Sequence, residues 1–134
     1  MIKVVLDTNV FISALFWKGV PHQIFKEVLQ GTVLNFTSPQ ILQELREKLL
    51  EKFDVSLEKV KEFLEIIVFN SQVVYPKNEL NIVKKDHTDN KIIECAVEAN
   101  ASLVVSGDKH LLEIKEYKGI KIVSPKQFYE NSAD

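Results

Sequence analysis

Short apolar runs alternate with longer helical stretches along this chain, and that alternation limits its fold more than any other feature. The β-like runs are Ile2–Leu6, Val33–Thr37, Gln72–Tyr75, Leu103–Ser106 and Ile120–Val123. Between them lie segments with helical spacing. Asn9–Trp17 is apolar almost throughout, which places Phe16 and Trp17 in the core, although either ring could stack on a nucleobase. Pro21–Gln30 carries Ile24, Val28 and Leu29, with Gly31 as its stop. Ser38-Pro39 reads as an N-cap and first helical residue, followed by a stripe of Ile41, Leu42, Leu45, Leu49 and Phe53. Ser56–Phe69 repeats the pattern with Val60, Phe63, Leu64 and Ile67. Asp89–Asn100 turns Ile92, Ile93, Ala96 and Ala99 inward. A short helix begins near Asp108, and Ser124-Pro125-Lys126-Gln127 forms a capping box for the last helix. Strands alternating with helices predict βαβ units and a parallel sheet covered on both faces. In such sheets ligands bind beyond the carboxyl ends of the strands, where the strand order reverses.

Length and composition bound the rest. A chain of 134 residues suits one domain, 1–134, and its 46% hydrophobic content supports a core and argues against disorder. A lone cysteine, Cys95, cannot form an internal disulfide, which fits a reducing, cytoplasmic setting. No secretory signal or membrane span is visible. The net charge of −2 excludes a broad basic footprint, so any contact with nucleic acid must be local or helped by a cation.

Acidic and small polar residues follow the expected strand ends. Asp7-Thr8-Asn9 follows the first strand, and Thr37-Ser38 the second, with Glu44 in the opening turns of the next helix. Ser106-Gly107-Asp108 follows the fourth strand, and Asp86 and Asp89 stand where the helix leading into it begins. Asp89 lies at about 100° per residue between Ile92 and Ala99, on the apolar face of its helix. A buried carboxylate without a partner costs several kcal/mol, on the order of one lost ion-pair partner. Two unit charges about 4 Å apart repel by about 4 kcal/mol at an effective dielectric of 20. Protonation relieves such a cluster, and so does a hard divalent cation with oxygen ligands. Singly, each acid has a plainer role: Asp7 as a helix cap, Asp89 and Glu44 as first-turn charges, Asp108 as a turn residue. All four at one sheet edge are harder to assign to capping.

Four segments resemble, in order, the motifs of the PIN domain family: Val5-Leu6-Asp7-Thr8-Asn9-Val10, Ser38-Pro39-Gln40-Ile41-Leu42-Gln43-Glu44-Leu45, Asp86-His87-Thr88-Asp89-Asn90-Lys91-Ile92-Ile93-Glu94-Cys95-Ala96 and Val104-Val105-Ser106-Gly107-Asp108-Lys109-His110-Leu111-Leu112. The resemblance spans nearly the whole chain. It implies a three-layer α/β/α fold around a five-stranded parallel sheet and Mg²⁺- or Mn²⁺-dependent endoribonuclease activity. By position, Asp7, Glu44, Asp89 and Asp108 match the family's acidic quartet, with Asp7, Asp89 and Asp108 as metal ligands. Thr8, Asn9 and Ser106 match the polar positions that orient those acids, and Asp86 is an additional acid. Lys84, Lys85, Lys109 and His110 are candidates for contact with the RNA chain. Many family members of this size are toxins held by an antitoxin protein, and often they are dimers. A housekeeping RNA-processing nuclease and a non-catalytic interaction module are the alternatives.

Two other acid-bearing classes fit less well. A receiver domain needs a phospho-acceptor at the end of a buried strand, yet the residues before Asp54 are helical and charged. A phosphatase with a nucleophilic first aspartate usually has an acid two residues on, where this chain has Asn9.

Overall fold

The computed structural model describes residues 1–77 and 90–132. Along the chain run β1 (Lys3–Leu6), α1 (Thr8–Phe16), α2 (Val20–Gln30), β2 (Leu34–Thr37), α3 (Pro39–Glu51), α4 (Leu57–Phe69), β3 (Ser71–Val73), α5 (Asn90–Ala99), β4 (Leu103–Val105), α6 (Lys109–Ile114), β5 (Glu116–Tyr117), β6 (Ile120–Val123) and α7 (Pro125–Ser132). The sheet order is β3-β2-β1-β4-β6-β5. The five expected strands pair in parallel. A sixth, β5, adds to β6 in antiparallel sense through Glu116 and Tyr117. The sheet is therefore mixed, with a two-residue edge strand that is too short to show a period in the sequence.

Alternation along the strands sorts the core into two halves. Val4 and Leu6 of β1 face one way, among Val10, Phe11, Ile24, Leu45, Leu49, Ile67 and Phe128, which belong to α1, α2, α3, α4 and α7. Val5 faces the other way, among Ile92, Ile93, Ala96 and Leu111 of α5 and α6. Helices thus cover both faces of a central sheet, the three-layer arrangement expected from the sequence.

The helix signals act as their chemistry predicts. Gly31 ends α2 at φ 77°, the left-handed conformation glycine takes without strain. The Ser38 hydroxyl accepts from the Ile41 amide with Pro39 in the first turn, and the Ser56 hydroxyl accepts from Lys59. At α7 the capping box closes both ways: the Ser124 amide donates to Gln127 Oε1 at 2.9 Å, and the Gln127 amide donates to Ser124 Oγ at 3.1 Å.

Three apolar expectations are corrected. Leu29 is exposed, and Phe53 lies beyond the buried stripe of Ile41, Leu45 and Leu49. Phe16 and Trp17 are on the surface rather than in the core, Trp17 with 61% of its area exposed. In an almost wholly apolar helix the sequence does not mark which face turns inward, and α1 buries Val10, Phe11 and Ala14 instead.

A candidate acidic site at the reversal of strand order

Connections from β1 run one way across the sheet, to β2 and β3, and the chain then returns to β4 on the other side of β1. The reversal point is therefore the gap between the carboxyl ends of β1 and β4, where α/β sheets bind ligands. Asp7 ends one strand there and Ser106 the other. The Ser106 hydroxyl donates to Asp7 Oδ2 at 2.7 Å and accepts from the Asp108 amide at 2.9 Å. One buried serine thus ties the two strand ends together.

Asp7 is only 4% exposed. It occupies the N-cap position of α1, yet its side chain makes no capping hydrogen bond. Burial pushes its carboxyl above the ordinary aspartate range. The Ser106 hydroxyl and the Thr8 amide draw it partly back, nearby Glu44 raises it further, and Lys48 opposes that rise. Helix capping, the plain explanation open in the sequence, therefore does not account for this residue.

Asp108 stands at the equivalent place after β4 and does cap its helix. Its Oδ1 accepts from the His110 amide at 2.7 Å and from the Leu111 amide at 3.3 Å. Glu44 reaches the same edge from α3. It accepts from Thr8 Oγ1 at 3.4 Å and pairs with Lys48 at 3.1 Å and Lys91 at 3.0 Å. Burial alone would raise its carboxyl, but the hydrogen bonds and charges of Lys91 and Lys48 outweigh that, and the net shift is downward. Asn9 Oδ1 accepts from Lys48 at 3.4 Å, so it steadies the lysine that holds Glu44.

The structure thus brings together Asp7, Thr8, Asn9, Glu44, Ser106 and Asp108. Lys109 opens α6 and is exposed, while His110 is half-buried, with Nδ1 lacking a hydrogen-bond partner among the described residues. Asp86, Asp89, Lys84 and Lys85 lie outside the described residues. The buried Asn90 opens α5, and its neighbour Lys91 meets Glu44, so the start of α5 reaches this edge. Lys48 and Lys91 were missed in the sequence. Lys48 had a signal, its four-residue spacing from Glu44. Lys91 had none, because its partner is on another element.

The donor chemistry suits a hard divalent cation. The described acids offer only oxygen, and Asp7 is a buried carboxylate whose hydrogen-bond partners are a neutral hydroxyl and a backbone amide. Both lysines of the site are engaged by Glu44. Among the described residues no three acidic, histidine or cysteine side chains gather closely enough to hold a metal unaided.

A buried acid is pinned at the strand-order reversal, beside a second acid carried in on α3, and the sequence says which α/β family this is. Residues 3–110 match the PIN domain family, and the chain belongs to that family. It is 33% identical over 142 aligned positions to an uncharacterized protein of Methanocaldococcus jannaschii, covering 96% of this chain and 90% of that one. The fold resembles that of VapBC2 from Rickettsia felis, solved bound to a DNA fragment from their promoter (TM-score 0.65, 14% identity, 92% of this chain and 98% of that one). It also resembles PAE2754 from Pyrobaculum aerophilum (TM-score 0.65, 12% identity, 98% and 90%).

Proposed function

We infer that this protein is a metal-dependent endoribonuclease that hydrolyses RNA phosphodiester bonds. The observation that carries the reading is the Asp7 carboxylate, buried at the strand-order reversal, turned away from capping and held by Ser106. Membership of the PIN domain family supports it. Asp7, Asp89 and Asp108 would hold Mg²⁺ or Mn²⁺, with Glu44 completing the acidic set. When bound, such a cation lowers the pKa of a water, polarises a phosphoryl oxygen and offsets charge on the leaving group. The chain's own residues do the positioning. Ser106 fixes the rotamer of Asp7 and the approach of Asp108. Lys48 and Lys91 keep Glu44 ionised, and Thr8 and Asn9 hold Glu44 and Lys48 in place.

A protein partner is part of this reading. Leu57, Val68 and Phe69 stand exposed on α4 around a groove of about 570 Å³ that half-buried Leu64 floors and Arg46, Lys61 and Glu65 flank. An exposed apolar surface of that kind favours a toxin covered by its antitoxin, or a homodimer, over a solitary housekeeping nuclease. A cytoplasmic setting accords with the free, buried Cys95. Among the described residues no helix is long and apolar enough to cross a membrane.

One assay tests the activity. The purified protein, incubated with mixed RNA, should cleave with Mn²⁺ and stop with EDTA, and Asp7→Asn should be inactive under both conditions. Equal cleavage by the mutant, or none by either protein, would sink the catalytic reading and leave a non-catalytic interaction module.

A further inference from the structure

The end of the α1–α3 pair opposite the acids is covered in aromatic rings. Leu15, Phe16, Trp17 and Phe53 are each at least 40% exposed. Phe16 and Phe53 stack at 5.3 Å with 28° between their planes, and Trp17 leans on Phe16 at 5.6 Å. Phe16 and Phe53 border a hollow of about 530 Å³, whose lining includes Val55, Asp54 and Lys59. Nothing in the core requires these side chains, since the inward face of α1 is already filled by Val10, Phe11 and Ala14. Contiguous exposed apolar surface of this kind marks a binding face.

The same two helices connect this end to the acids. They lie side by side, with Thr8 against Glu44, Asn9 against Lys48 and Phe16 against Phe53. From Thr8 to Phe16 is eight residues of helix, or about 12 Å. Along α3, Lys48 and Lys52 stand four residues apart and therefore on one face. That row leads from Glu44 to the ring pair, and Lys18 follows Trp17 directly. Exposed rings fed by a line of cations match the chemistry of a single-stranded nucleic acid, with faces for bases and charges for phosphates. The groove on α4 is lined by a single ring, Phe69, with Arg46 and Lys61, and has no stacked ring pair.

We propose that Trp17, Phe16 and Phe53 form a stacking platform for unpaired bases of an RNA strand whose backbone follows Lys52 and Lys48 to the acidic edge. The proposal rests on the ribonuclease reading for the identity of the strand and adds a second subsite to it. It explains how a chain of net charge −2 holds RNA without a broad basic surface. The platform grips by ring area, which is indifferent to base identity and to salt.

Trp17 is the chain's sole tryptophan, so its fluorescence reports on the platform alone. The full-length protein, in EDTA to prevent cleavage, is titrated with a short oligoadenylate and with an abasic ribose-phosphate strand of equal length. Quenching by the oligoadenylate and little by the abasic strand is expected. With a labelled oligoadenylate, Trp17→Ala should weaken binding on the order of 10-fold, and Trp17→Phe should recover most of the loss. Lys52→Gln should flatten the salt dependence of binding by about 0.7 in log–log slope. In the Mn²⁺ cleavage assay Trp17→Ala should raise KM and spare kcat. Equal quenching by the abasic strand overturns the proposal. So does unaltered oligoadenylate affinity in Trp17→Ala, the result expected of a patch that seats a protein. Asp7-dependent cleavage with neither quenching nor a KM change removes the platform and leaves the nuclease standing. Base-dependent quenching without cleavage does the reverse.

Discussion

Asp7 and Asp108 occupy the same place in the chain's grammar and behave differently. Each directly precedes a helix that follows a strand, each has an extended backbone (ψ 153° and 126°), and each is linked to Ser106. Asp108 spends one carboxylate oxygen on two amides of the next helix, as an N-cap does. Asp7 leaves its helix uncapped and directs its carboxylate into the gap between β1 and β4. The N-cap position therefore does not identify a capping residue. What separates the two is the company around the carboxylate. Asp7 is sealed between strand ends under a serine hydroxyl, whereas Asp108 turns a carboxylate oxygen to the amides of His110 and Leu111.

The largest effect should come from removing the charge of one junction and keeping that of the other. Asp7→Asn should lower RNA cleavage on the order of 10²–10⁴-fold, the scale of losing the activation of the attacking water that a held cation would supply. Asp108→Asn keeps the cap, so its fall in cleavage reads the charge of Asp108 alone. A loss equal to that of Asp7→Asn would erase the functional contrast between the two. Ser106→Ala touches both residues at once. Cleavage should fall by about 10–100-fold, as when a residue orienting a ligand is removed. Urea denaturation should register a cost of about 1–3 kcal/mol for the under-satisfied buried carboxylate.

Stability in the metal-free protein sharpens the contrast with opposite signs. A carboxyl whose folded-state pKa is raised favours the fold while protonated, and that contribution fades as pH rises through the folded value. Asp7 is such a group, so Asp7→Asn should raise Tm at neutral pH in EDTA, and the gap to the wild type should close as pH falls towards the ordinary aspartate range. Asp108→Ala should lower stability by about 1 kcal/mol through the lost cap, with Asp108→Asn close to neutral. A stabilised Asp108→Asn would show that Asp108 is burdened as Asp7 is.

The smallest effect concerns Glu44. Its carboxyl is held low by Lys91 and Lys48, so its contribution is present above the unfolded value and lost as pH falls through the folded one. Lys48→Gln should cost about 0.2–1 kcal/mol at neutral pH and nothing in strong acid, read from urea midpoints.

Much of this frame is legible in the sequence. Five parallel strands, the Ser38, Ser56 and Ser124 caps and the Gly31 stop all follow from local chemistry, which the chain states residue by residue. Asp7, Glu44 and Asp108 could be placed at one edge because parallel strand ends gather there. The sequence does not reveal which of them caps, since that depends on whether Ser106 or a helix amide lies closer. Nor does it reveal the fate of Phe16, Trp17 and Phe53. Helical periodicity sorts a polar face from an apolar one, and α1 offers little polar contrast. The two-residue β5 and the cross-element pair Lys91–Glu44 escape for the same reason: each is defined by a partner distant in sequence. The weight that Asp89 carries in the sequence, on the apolar side of its helix, falls outside the described residues.

The bond from Ser106 to Asp7 joins residues 99 positions apart. Asp7 is therefore made long before the hydroxyl that orients it. A fragment that stops before β4 holds an acid with no serine to aim it and a strand paired on one side only, with β2. The buried, oriented state of Asp7 is therefore a late product of folding, complete only once β4 has docked beside β1.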